Sequence, residues 1–197
     1  MVGTWQRLAH VALSSAGDTI DSGTFTAKKN MKVIISGIGT GGTVNCNLTF
    51  NSDTGTNYAI RESVNGGSDS TNVSQANTDN LTGTVTGNVF ATVHILNEAS
   101  KEKLFISEGL ESASGAGNAP ERKELVGKWA NTSNQITRII ANNGGTGSYA
   151  SGSYITVLGA SDDVVSDTTD NNSIFEENDT GKHFIWNATS DSWTEIT

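Results

Sequence analysis

Apolar side chains return at every second position in several separate stretches of this chain. Val89, Ala91, Val93 and Ile95 alternate with Phe90, Thr92, His94 and Leu96, and a period of two sends successive side chains to opposite faces of a strand. Val44, Cys46, Leu48 and Phe50 alternate likewise with Asn45, Asn47 and Thr49. Before them, Met31, Val33 and Ile35 alternate with Lys32, Ile34 and Ser36, a run nearly apolar on both faces. The same test predicts strands over residues 4–13, 19–26, 58–62 and 71–75, and in ERKELVGKWA, ITRIIA and SYITVLGA. EASKEKLFISEGL opens on good helix formers, but its LFIS is β-like, so it reads as a turn followed by a strand. SSAGD, NTSN and NNGGTGSYASG separate these segments with turn chemistry.

About ten strands, spaced roughly 8–15 residues apart with no amphipathic helix between them, predict an all-β antiparallel β-sandwich, and among sandwiches a jelly roll. The sandwich is expected over residues 1–160. SDDVVSDTTDNN then reads as an acidic linker (161–172), and IFEENDTGKHFIWNATSDSWTEIT as a small three-stranded β-module (173–197). Three short strands make too small a core to stand alone. Phe175, Phe184, Trp186 and Trp193 are therefore expected to pack on one another, on the main domain or on a neighbouring copy, and are the candidate contact residues.

Composition supports this picture. Only 17% of the 197 residues are charged, proline occurs once, and the net charge is −9. That charge is concentrated: residues 161–197 hold nine acids against Lys182, while the first 160 residues hold twelve acids and eleven bases. Nucleic acid is not an expected partner, because no basic stripe is present to displace counterions from phosphate. No stretch approaches the roughly 18 apolar residues of a membrane helix. MVGTWQRLAHVAL lacks the pattern of a secretion signal, and Cys46 is alone, so synthesis in a reducing compartment is expected.

Gly37, Gly39 and Gly42 match G-x-G-x-x-G, the signature of a dinucleotide-binding loop. That loop needs a helix next, whose amides hold the phosphates. Here TVNCNLTF follows, so the glycines are expected to turn a β-hairpin and no cofactor is expected. His10, His94 and His183 sit in separate predicted strands, and no cysteine–histidine spacing suggests zinc. Glu176 and Glu177 are adjacent on a strand, point to opposite faces, and cannot flank one glycosidic bond. The loops NSDTGTN and SDDVVSDTTDNN offer calcium-type oxygens without an EF-hand pattern, so ordinary turn chemistry is the plainer reading. Trp5, Trp129, Trp186 and Trp193 suit core or interface area better than a sugar platform. No catalytic constellation emerges, and the chain reads as a non-enzyme.

SSAGDTIDSGTFTAKKNMKVIISGIGTGGTVNCNLTFNSDTGTNYAIRESVNGGSDS, ASKEKLFISEG and GAGNAPERKELVGKWANTSNQI resemble, over about residues 1–160, structural proteins encoded by tailed phages, especially marine ones. The final 24 residues resemble a short β-module at the ends of phage tail and virion proteins. The resemblance implies a virion protein, made in the host cytoplasm: a capsid decoration, head fibre or tail-associated component. It implies homo-oligomers, with a trimer by analogy, and other virion proteins as partners. A receptor- or glycan-binding tip is the alternative, with a host surface glycan as partner and Tyr58, Tyr149 or Tyr154 as loop contacts.

Overall fold

A computed structural model describes residues 5–112, 115–160, 174–177, 180–187 and 192–196. These form two compact units, one within Thr4–Ser161 and one in the C-terminal segment. The acidic linker SDDVVSDTTDNN lies outside the described residues.

Among the described residues every element is a strand and every pairing is antiparallel. In chain order they are β1 (Gln6–Ala12), β2 (Thr19–Asp21), β3 (Asn30–Thr40), β4 (Asn47–Phe50), β5 (Tyr58–Val64), β6 (Ser70–Gln75), β7 (Asn88–Leu96) and β8 (Lys103–Ser112). They continue as β9 (Glu121–Trp129), β10 (Ile139–Asn142), β11 (Ser148–Tyr149), β12 (Tyr154–Ala160), β13 (Ile174–Glu177), β14 (Lys182–Asn187) and β15 (Ser192–Ile196). The first unit has a nine-stranded sheet ordered β1-β12-β3-β7-β8-β9-β5-β6, with β11 beside β3, and a three-stranded sheet ordered β2-β10-β4.

The expected sandwich forms, with unequal layers of nine strands and three. Its core lies where alternation placed it. Val33 and Ile35 of β3, Ala91 and Val93 of β7, and Ile155 and Val157 of β12 share one buried cluster with Ile20, Leu48 and Ile139 of the small sheet. At one end Phe50 packs among Tyr58, Phe105 and Trp129, with ring centroids 5.8, 5.8 and 6.0 Å away. The stretch at 19–26 is strand for only three residues.

The glycine motif works differently from the expected hairpin. β3 pairs with β7 and β12 while β4 pairs with β10, so the chain between them crosses from one sheet to the other. Gly37 and Gly39 are strand residues, and the left-handed turn falls on Gly41 (φ 73°). What Gly37 and Gly39 supply is closeness. A Cβ on Gly37 would lie 2.6 Å from Val89 Cγ2, and one on Gly39 would strike the carbonyl oxygen of Gly87.

Irregular segments are fixed by buried amides. Asn97, fully buried, donates from Nδ2 to the carbonyls of Lys28 and Ile136 (both 3.1 Å) and accepts from Ile136 N at 2.7 Å. Asn51 accepts at Oδ1 from Thr137 N (2.8 Å) and Arg138 N (3.1 Å). Both satisfy backbone groups in the strandless stretch before β10.

Candidate functional site

Two apolar surfaces stand out. The first belongs to the C-terminal unit, where β14 pairs with β13 and β15. Register sets Phe175 opposite Phe184 and Trp186 opposite Trp193. The four predicted contact residues therefore share one face, with centroid distances of 6.3 Å (Phe175–Phe184), 6.0 Å (Phe175–Trp193) and 5.3 Å (Trp186–Trp193). None of the four is buried: Phe175 is 52% exposed and Trp193 42%. The opposite face carries Ile174, Ile185 and Ile196, two of them exposed.

The second surface is the outer face of the nine-stranded sheet. One face of an antiparallel sheet is ordinarily solvated and polar. Here Leu96 stands opposite Leu104, His94 opposite Ile106, Ile106 opposite Val126 and Phe90 opposite Leu110. Ile106 is 58% exposed and Leu104 51%. His94, Leu96, Leu104, Ile106 and Val126, with Val73 and Trp5, line an open groove of about 820 Å³. Sequence analysis named no residue of this face as a site. The signal was present in β3 and β7, which carry apolar residues on both sides.

Next to the apolar rows, Glu108 faces Glu124 across β8 and β9, both exposed. Neither has an ion-pair partner among the described residues. Like charges set directly opposite one another weaken a sheet. On the inner face two lysines find partners. Lys123 Nζ meets Glu62 Oε2 at 2.7 Å, and the fully buried Lys103 donates to the carbonyls of Lys101 (2.6 Å) and Asn131 (3.0 Å). Burial holds the Lys103 ammonium below the ordinary lysine pKa.

The remaining candidates disperse. His10 on β1 shares a hydrogen bond with Thr156 of β12 (2.8 Å), while His94 lies on β7, with β12 and β3 between β1 and β7. His183 sits 3.8 Å from Glu176 in the C-terminal sheet. Glu176 and Glu177 pair with His183 and Lys182, on opposite faces. In the loop at 51–57, Asp53 is occupied by Gly55 N, Asn57 Nδ2 and Trp129 Nε1, at 2.8, 2.9 and 2.7 Å. Among the described residues, no three His, Cys, Asp or Glu side chains are grouped to hold a metal ion. Burial pushes the Cys46 thiol up to about 12, which keeps it protonated and unreactive.

The three tyrosine expectations are corrected. Tyr58 and Tyr149 are core residues, not loop contacts: their hydroxyls bond inward, Tyr149 to Asn45 O at 2.5 Å and Tyr58 to Asp53 O at 3.2 Å. Tyr154 lies on β12 with its ring 5.6 Å from that of His10. Trp129 is buried and unavailable for sugar stacking.

No described helix is long and apolar enough to cross a membrane. Compared with family models, with curated proteins and with solved structures, the chain matches none.

Proposed function

We propose that the chain is a non-enzymatic structural protein of a tailed-phage virion, a capsid decoration, head fibre or tail-associated component that works as an oligomer. The observation carrying this reading is the C-terminal sheet. Its four aromatic side chains share one face, and every one keeps contact with water. Covering a ring such as Phe175 or Trp193 stabilises by about 1.5–3 kcal/mol. A three-stranded sheet of this size needs such cover for independent stability. A sister subunit or a virion protein supplies it, and the sequence resemblance names the setting. The trimer rests on analogy with jelly-roll virion proteins.

Antibodies raised against the purified chain, used for immunogold labelling of purified phage particles, test this. Regular labelling at one part of the particle supports the proposal, and absence of label from intact particles contradicts it. Trp193→Ala should leave the sandwich folded and reduce attachment at least tenfold.

The exposed Phe175 and Trp193 rings also favour a second reading, glycan binding by stacking against a sugar face. A glycan array distinguishes the two, since a structural role predicts no binding sensitive to Trp193→Ala.

A further inference from the structure

We propose that Asn65 is a site of spontaneous covalent modification, where the backbone nitrogen of Gly66 attacks the side-chain amide and converts it to aspartate and isoaspartate. This chemistry needs one chain and no partner, so it stands apart from the virion role.

The tripeptide Asn-Gly-Gly occurs twice, at 65–67 and 143–145. Glycine after asparagine leaves the attacking nitrogen unshielded, because it carries no Cβ. Local sequence therefore makes the two sites alike, and the fold separates them. Asn143 is clamped at both ends of its amide. Its Oδ1 accepts from Asn45 N (3.0 Å) and Gly145 N (2.9 Å), and its Nδ2 donates to the carbonyl of Gly147 (2.5 Å) and to Asp18 Oδ1 (3.5 Å). The nucleophile is held too, since Gly144 N–H donates to Asn45 Oδ1 at 2.6 Å. Turning that amide onto that nitrogen breaks the whole set.

Asn65 has far less to give up. It stands with Gly66 between β5 and β6, both exposed and both at positive φ (53° and 74°). Gly67 N donates to Val64 O at 2.8 Å, so the pair forms the centre of a type I′ turn. Of the side-chain amide only Oδ1 is bonded, accepting from Arg122 N at 3.0 Å. Among the described residues neither Asn65 Nδ2 nor Gly66 N–H meets an acceptor. Attack requires Asn65 to leave its left-handed conformation. Residues 64–70 are all exposed, so that excursion costs a turn and no core packing.

The reaction balances with water alone. Gly66 N bonds to Asn65 Cγ, the Cγ–Nδ2 bond breaks, and ammonia leaves with the peptide proton. Water then opens the cyclic imide at one of its two carbonyls. One opening gives aspartate, and the other gives isoaspartate, whose main chain runs through Cβ. Either product adds a negative charge to a net −9, beside Arg122, whose guanidinium packs against Gly66. Isoaspartate also lengthens a turn whose geometry depends on two residues, which loosens the β5–β6 hairpin.

Ageing the full chain in warm, mildly alkaline buffer, folded and in urea, followed by tryptic peptide mapping, tests this. Lys101, Lys103 and Arg122 separate the two tripeptides, so each is read on its own peptide. In the folded chain Asn65 should convert at least tenfold faster than Asn143. In urea the two should convert at similar rates, since the fold alone distinguishes them. Asn65→Ser should remove the principal acidic species from isoelectric focusing of the aged folded chain. Equal conversion of the two sites in the folded chain, or an Asn65 that stays intact there while it converts in urea, overturns the proposal.

Discussion

The indole N–H of Trp129 donates to Asp53 Oδ2 at 2.7 Å, tying the end of β9 to a turn 76 positions earlier. Burial works against ionisation of Asp53, but the bonds from Trp129, Asn57 and Gly55 outweigh it and hold its carboxyl below the ordinary value. Trp129→Phe preserves ring packing and removes the bond. It should cost about 1–3 kcal/mol in urea unfolding at neutral pH. A depressed carboxylate stabilises above its unfolded pKa and ceases to do so as pH falls through its folded one. The gap between wild type and variant should therefore narrow in acid.

Glu111 and Glu121 are paired directly across β8 and β9. Burial first, and then the Glu121 charge, raise the Glu111 carboxyl above its ordinary value. Here the sign reverses. The folded protein gains stability as pH falls through the raised pKa, because the folded state takes up the proton first. Glu111→Gln should stabilise by about 0.5–1 kcal/mol at neutral pH. That gain should fade in thermal melts as pH is lowered and wild-type Glu111 becomes neutral.

Asn97 serves three backbone groups from a fully buried site. Asn97→Leu keeps the branched heavy-atom shape but leaves Ile136 N–H without its acceptor. A loss of about 2–4 kcal/mol is expected, since abandoned buried groups cost about 1–3 kcal/mol each. Hydrogen exchange should show the loss concentrated in the segment leading into β10.

Gly39 and Gly41 separate two uses of glycine. Gly39→Ala places a methyl against the carbonyl oxygen of Gly87 and should cost about 1–3 kcal/mol through overpacking. Gly41→Ala meets nothing within 4 Å, and its cost of about 1 kcal/mol comes from the left-handed φ alone. Chemical denaturation of the two variants should rank them in that order.

Much of the fold was legible because alternation is a local property. Val89 to Ile95 announced both β7 and its buried side, and Tyr58 and Thr71 marked β5 and β6 within long polar sequence. Sheet membership was not legible. A turn at Gly41 looks the same in sequence whether it closes a hairpin or carries the chain between layers. Lys103 and Lys123 occupy inward positions that alternation alone assigns to apolar residues, because the groups that satisfy them (the carbonyls of Lys101 and Asn131, and Glu62) are brought there only by the folded geometry. At the candidate site, the aromatic face of the C-terminal sheet followed from spacing, since Phe184 and Trp186 are two apart on one strand. The outer face of the large sheet did not. Its Leu104, Ile106 and Val126 become one surface only once β8 and β9 are in register.

Native mass spectrometry of the full chain over a range of concentrations tests most directly whether these β-layers exist to present contact surfaces. Species at integer multiples of the chain mass, depleted by Trp193→Ala, are the predicted result. A single-chain species at every concentration, unchanged by that substitution, would contradict it.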